Sequence, residues 1–473
     1  MALALVAGFT GVSYAQVTTG SIAGTVADET GGVLPGAIIT AVHVPSGTRY
    51  EGVSRGDGGF TLPGMRVGGP YSVTAAMSGF QTRVTTGVFV NLGVATDLKL
   101  SLKTQALTEE VTVTAESDPV FSSQRTGAAT AVSREVIATL PTITDRIEGF
   151  ARLSPQSSGG LSFAGQDNRL NNITVDGSYF NNSFGLGTSP GDRTNVAPIA
   201  MAAIEQIQVN VAPYDVRQGH FIGAGVNTIT RSGTNSFAGS LYYWFRDQGM
   251  VGTKAGNATI NSGTFDFKKY GGWLSGPVYK NKLFFFLSAE DDTLSQPGTT
   301  WRANRGGEQV SGNVTRVLAS DLDALSSFLK SSFNYETGPY QDYAHETPSR
   351  RYLGKLDYNL NDRNKFSVRY THLDSNTDVL LSDSSSLGFG NRRTRSTGLN
   401  FQNSNYMILE NIRSGVAEWN SIIGTNKANN LIVGYSKSDE SRDSRGTFFP
   451  MVDILDANTV YTTFGFEPFT PNN

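Results

Sequence analysis

The 473 residues contain no cysteine, which excludes a disulfide framework and any cysteine-ligated zinc. No apolar run approaches the ~18 residues that a transmembrane helix needs. If the chain meets a membrane core, it must do so as a β-barrel, because only helices and closed barrels satisfy their backbone there. Charge of one sign is also missing. The 38 Lys+Arg against 41 Asp+Glu give a net charge of -3, which supplies no strong pull toward nucleic acid. Histidine is sparse: His43, His220, His345 and His372 are scattered, with no His-Glu-x-x-His spacing. What is plentiful is glycine (53), phenylalanine (27) and tyrosine (18). That mixture predicts turn-rich, mainly β structure.

At this length about three domains are expected. Ala2 to Phe9 is a short apolar run, and Ser13-Tyr14-Ala15 has the small residues of a signal-peptidase site. Residues 1–15 are therefore expected to be an export signal, although its basic start is missing. Residues 16–105 carry seven short strand-like pieces, from GSIAGTVAD to GVATDLKLSLK. Turn chemistry separates them at Asp28–Gly32, Pro35-Gly36 and Gly56–Gly59. Seven strands at that spacing predict a β-sandwich. The pieces GSIAGTVADETGGVLPGAIITA, DGGFTLPG and PYSVTAAMSGF resemble the carboxypeptidase regulatory-like family. Without a metal-ligand set this part is expected to be an accessory module and not an enzyme.

Residues 106–120, ALTEEVTVTAESDPV, alternate small apolar residues with threonine between polar flanks. They read as a linker or a last sandwich strand. They also resemble a TonB box through Glu109, Glu110, Val111, Thr112, Val113, Thr114 and Ala115. That resemblance implies a partner, the TonB-type energy-transducing protein, held by strand addition.

Residues 121–235 resemble a plug domain, expected to be α+β. The resemblance rests on RLNNITVDGSYFNN and AIEQIQVNVAPYDVRQGHFIGAGVNTITRSGTN. The matching positions are Asp176, Gly177, Ile204, Glu205, Ile207, Gly219, Gly223, Gly225 and Asn227. The glycines are expected where backbone must approach closely. Asn210-Val211-Ala212-Pro213 stands where such plugs usually carry Arg-Gly-Pro, a departure that resembles the Oar-like branch of TonB-dependent receptors.

Residues 236–473 repeat one device. Tyr352, Leu356, Tyr358 and Leu360 alternate with Lys355, Asp357 and Asn359, and Phe366, Val368 and Tyr370 alternate with Ser367, Arg369 and Thr371. An apolar face out and a polar face in is the pattern of an antiparallel transmembrane β-barrel, with lipid as its partner. Short turns (GPVYKN, NLNDRN, GTNKAN) alternate with long loops (293–349, 376–410). Trp244 and Tyr270 suit interface girdles. Leu318, Leu322, Leu325 and Leu329 predict one loop helix, with Ser320 and Asp323 as a capping box. About seven strands are countable against about 22 in plugged transporters, so residue 473 is expected to be a truncation point.

Other lookalikes carry less. Arg55-Gly56-Asp57 and Ser327-x-x-Lys330 fit a turn and a helix surface, and Glu290-Asp291-Asp292 fits the solvent end of a strand better than a cation site. No cofactor is called for. The expected function is an outer-membrane receptor that binds an extracellular ligand and imports it, with the sandwich in the periplasm. The competing expectation is a non-transporting surface-binding protein for a glycan or protein ligand.

Overall fold

The computed structural model describes residues 17–104, 128–142, 145–181, 190–213, 218–252, 264–387, 390–424 and 427–467, with a few residues between 254 and 259 and the backbone of Val111–Thr114. The expected signal at 1–15, and Glu109, Glu110 and Ala115, lie outside the described residues.

Seven strands form the sandwich: β1 (Gly20–Asp28), β2 (Ile38–His43), β3 (Thr48–Val53), β4 (Gly59–Met65), β5 (Gly68–Ala76), β6 (Arg83–Val90) and β7 (Ala95–Leu102). One sheet runs β4-β1-β7 and the other β3-β2-β5-β6. Alternating residues such as Ile22, Ile39, Phe60, Leu62, Val73 and Leu100 interdigitate between them. Gly24 is required here, because a Cβ would lie 1.8 Å from the Leu98 carbonyl oxygen on β7. The Arg55-Gly56-Asp57 tripeptide is a tight turn closed by Gly58 N donating to Arg55 O at 2.9 Å.

A further strand, β8 (Val111–Thr114), adds in parallel to β6, with Arg83 opposite Val111 and Thr86 opposite Thr114. Val111–Thr114, the described part of the segment read from sequence both as a TonB box and as a final sandwich strand, therefore lies on the sandwich edge.

The plug follows. Strand β9 (Ala128–Ser133) leads into two short helices, α1 (Arg134–Thr139) and α2 (Ile147–Ala151), and a small hairpin of β10 (Ser157–Gly159) and β11 (Ser162–Phe163). Then come β12 (Asn172–Val175), β13 (Ser178–Tyr179), β14 (Ile204–Val211) and β15 (Ala224–Thr230). The sheet order is β13-β12-β15-β14-β9. Ile173, Val175, Ile207, Val209 and Val226 pack with Phe150 and Phe163 in its core.

The last region is one antiparallel sheet. It begins with β16 (Ala238–Asp247), passes a small loop hairpin of β17 (Lys254–Ala255) and β18 (Ala258–Thr259), and continues through β19 (Asp266–Tyr279) and β20 (Leu283–Pro297). A long loop then holds β21 (Arg302–Asn304), β22 (Val314–Leu318) and α3 (Ala319–Phe333). Strands β23 (Ala344–Asn361), β24 (Asn364–Val379), β25 (Tyr406–Ile423) and β26 (Lys427–Ser444) follow, with a loop hairpin of β27 (Val452–Asp456) and β28 (Thr459–Phe464). The seven wall strands run in the order β16-β19-β20-β23-β24-β25-β26. Their 14 to 18 residues from β19 onward exceed the ~9–11 that cross a bilayer.

The two faces of this wall are inverted relative to a soluble sheet. Leu241, Leu274, Leu287, Leu356, Val368 and Val433 are exposed, while Lys269, Glu290, Arg351, Lys355 and Arg369 are buried against the plug. Aromatics border the exposed band: Tyr243 stacks on Tyr270 at 4.8 Å, and Phe366 on Trp419 at 5.7 Å near the short turns. Trp244 departs from expectation. It alternates with Tyr243 and Phe245, pairs with the buried Lys269 and lies on the lumen side.

The loop helix forms one residue later than the leucine spacing predicts and without the expected capping box. Leu318 is the N-cap residue, and Asp323 instead accepts the Tyr340 hydroxyl at 3.0 Å. Leu322 and Leu329 anchor it in a loop core with Tyr335, Leu399, Phe401 and Phe464. The Leu329 side chain is thus part of a core, and Lys330 pairs with Glu336.

Candidate functional site

Among the described residues, carboxylates and cations tie the plug to the wall at three places. The first centres on Asp176, which ends β12 with a positive φ of 45°, followed by Gly177 at 74°. An aspartate tolerates that left-handed turn, and the turn points its carboxylate at the next plug strand and the wall. It accepts Thr230 N at 2.9 Å and the Thr230 hydroxyl at 2.5 Å. Lys355 Nζ on β23 lies 3.6 Å away and Arg369 Nη1 on β24 3.7 Å away. Burial alone would raise the Asp176 carboxyl. The Lys355 and Arg369 charges, with the Thr230 hydrogen bonds, outweigh it and hold the group below its ordinary value.

The second contact holds the plug loop that precedes β14. Glu410 on β25 accepts the backbone N–H of Gly191 and, at 3.1 Å, that of Arg193. The Arg193 guanidinium reaches Glu440 on β26 at 3.1 Å. Third, Lys269 on β19 reaches Asp145 of the plug at 2.5 Å. Behind it Arg351 pairs with Glu290 at 2.9 Å and Asp292 at 2.6 Å. Glu290 and Asp292 are therefore buried, neutralised lumen groups, not the solvent end of a strand, while Asp291 faces outward and pairs with Arg350. Among the described residues no group of three His, Asp or Glu is placed to hold a metal ion.

The remaining plug positions read from sequence divide in two. Ile204 and Ile207 are buried in the plug core. Asn227 on β15 pairs with Thr174 on β12 and accepts its hydroxyl at 2.7 Å. At Gly223 a Cβ would lie 2.4 Å from Asn171 Oδ1, which is fixed by accepting Ala224 N, and at Gly225 it would press on the Phe221 ring at 3.0 Å. Gly219 has open space around it, so close approach does not explain it. Glu205 faces the sandwich side, 3.7 Å from Arg134.

That face is a second contact zone, which the sequence did not disclose. Leu92 N, in the β6–β7 turn, donates to Gln206 Oε1 at 2.8 Å. Gln206 Nε2 donates to Asn91 Oδ1 at 2.8 Å, and Gln208 Nε2 donates to the Leu92 carbonyl. Val17, Val67, Leu92 and Ile229 form a small apolar cluster beside these bonds.

A plug held by charge inside an outward-apolar antiparallel wall, with aromatics at its borders, defines an outer-membrane β-barrel protein. Residues 21–103 match the carboxypeptidase regulatory-like domain, and residues 229–316 match an outer membrane beta barrel domain. The chain is similar to the TonB-dependent transporter Oar of Myxococcus xanthus, 25% identical over 234 residues. That match covers 47% of this chain and 20% of the relative, so the chain spans about a fifth of the relative's length. Among solved structures it is similar to the outer membrane transporter YddB from Escherichia coli, with TM-score 0.45 and 13% identity over 67% of this chain and 39% of that one. It is also similar to the ferric enterobactin receptor PfeA from Pseudomonas aeruginosa, with TM-score 0.42 and 14% identity over 68% of this chain and 42% of that one. Each of these relatives is a transporter or a receptor.

Proposed function

We propose that the protein is a TonB-dependent outer-membrane receptor that binds an extracellular ligand and imports it with energy from the inner membrane. In this reading residues 16–105 are a periplasmic sandwich, 106–120 the energy-coupling linker, 121–235 the plug and 236–473 barrel. The observation that carries it is the plug's attachment. Asp176, Asp145 and the loop at Gly191–Arg193 are tied to the wall by ion pairs and hydrogen bonds, while apolar wall residues such as Phe286 and Leu353 complete its core. Such a plug closes the lumen at rest and needs work to move. A TonB-type protein would supply it by pairing with Glu109–Ala115, of which Val111–Thr114 form β8 at the edge of its sheet. Ligand would meet the loop core around α3 first.

The pairing of Val111–Thr114 with β6 also favours the second reading, a non-transporting surface-binding protein in which this segment is simply a sandwich strand. Deleting Glu109–Ala115 separates the two. The receptor reading requires ligand binding to persist while energy-dependent accumulation is lost. Accumulation that survives the deletion counts against it.

A further inference from the structure

The sandwich touches more than the plug. At the rim of short turns, which faces the periplasm in such barrels, it contacts wall, plug and the link between them. Arg66, in the β4–β5 turn, donates to the Gly233 carbonyl at 3.1 Å and lies 3.7 Å from Asp357 on β23. Gly233 belongs to the plug-to-barrel link, where a Cβ would sit 2.4 Å from the Phe285 carbonyl oxygen. Asn235 N donates to Pro45 O at 2.8 Å. On the wall side Asn359 Nδ2 donates to Thr48 Oγ1 at 2.9 Å, Lys365 Nζ lies 4.2 Å over the Tyr50 ring, and Glu418 accepts the Thr18 hydroxyl. On the plug side the bonds from Asn91 and Leu92 all end on β14, which lies inside the plug sheet between β15 and β9.

We infer that the sandwich is a periplasmic stopper, docked across plug and rim, that must undock before the plug can move. Two features support a docking that releases. The contacts are mostly polar, and a cavity of about 240 Å³ lined by Arg66, Glu205, Asp357 and Lys365 separates the three parts. Interfaces of that kind between domains permit relative motion. The release is also wired to the linker. Strand β8 is part of the sandwich sheet, and the chain runs from it to β9, the edge strand beside β14. One pull at 109–115 therefore acts on the stopper through β6 and on the plug through β9. The docking rests on these contacts alone, whereas its release by a pull rests on the function proposed for Glu109–Ala115.

Cysteine trapping tests both, because none of the 473 residues is cysteine. The full chain carrying Thr48→Cys/Asn359→Cys is given a brief pulse of oxidant in whole cells. In cells whose proton-motive force has been collapsed the disulfide should form rapidly. In energised cells its rate should fall several-fold, and deleting Glu109–Ala115 should restore the rapid rate. No disulfide in collapsed cells overturns the docking itself. Equal rates in collapsed and energised cells overturn the release. A slow rate that persists after the deletion overturns the coupling and the assignment of 109–115, while leaving the docked state standing. The pair Asn91→Cys/Gln206→Cys, on the plug side, repeats the measurement should the first variant not assemble.

Discussion

Replacing Asp176 removes the carboxylate that, among the described residues, pairs with both Lys355 and Arg369 across the plug boundary. Arg369 is 1% exposed, and its Nε and Nη1 have no hydrogen-bond partner. Without Asp176 two buried cations are left without this counter-charge, and breaking a buried pair from one side costs about 3–5 kcal/mol. Asp176→Ala would add about 1–2 kcal/mol for a side chain without local hydrogen bonding at positive φ. Asp176→Asn avoids that addition and isolates the charge. The assay is urea titration of the purified receptor in detergent, following protease accessibility of the plug, with the triple variant Asp176→Asn/Lys355→Met/Arg369→Met alongside. The single variant should lower plug stability by about 3 kcal/mol or more. The triple variant should recover most of it, because apolar replacement of a whole buried ion network is commonly neutral or stabilising. Because the folded carboxyl titrates below its unfolded value, its contribution is complete above about pH 4 and lost as pH falls through the lower folded value. The difference should thus be the same at pH 7 and pH 5. An Asp176→Asn plug within ~0.5 kcal/mol of the parent, the range of ordinary surface changes, would refute this account of the latch.

Other outcomes follow from the same physics. Val368 is exposed at mid-strand on the apolar face of the wall; with that face in lipid, Val368→Arg should cost about 2–4 kcal/mol in refolding into vesicles, and a neutral result would mean that face is not in lipid. His43 is buried, with Nδ1 against the Ser46 hydroxyl at 2.7 Å, and burial pushes it down to about 3. Since its folded value lies below the unfolded one, sandwich stability should fall by about 1.4 kcal/mol per pH unit below about 6.5, a slope that calorimetry should find absent in His43→Leu. Leu322→Ala should cost about 2–5 kcal/mol of local stability in the α3 loop core, read as faster hydrogen exchange there with the barrel amides unchanged.

Much of this architecture was legible because it rests on local patterns. Alternation alone assigns Tyr352, Leu356 and Val368 to one face of the wall and Lys355 and Arg369 to the other, and turn chemistry alone separates the seven sandwich strands. The leucine spacing finds α3, but its N-terminus is set by β22 running directly into it, so Leu318 takes the cap position and Ser320 falls inside the first turn. What sequence could not supply was pairing over distance. Asp176 and Lys355 were each visible, one in an Asp-Gly turn and the other on a polar face, but nothing local joins residues so far apart. Glu290 and Asp292 misled for the same reason: their neutralising partner Arg351 lies on another strand. Trp244 read as a girdle residue from its place near a strand end, whereas its face follows from register with Lys269. The docking of Leu92 on Gln206 and Gln208 has no sequence signal beyond amide side chains on an otherwise apolar strand.

In the proposed function the segment at 109–115 is the handle through which the plug is moved. Single cysteines placed in turn at Glu109 to Ala115, in cells carrying a TonB-type protein with one cysteine in its receptor-binding strand, test it most directly. Strand addition predicts cross-links that alternate in strength along the segment and disappear in a variant carrying Val113→Pro. Uniformly absent cross-links, in receptor shown to reach the outer membrane, would contradict it and leave Val111–Thr114 as a strand of the sandwich alone.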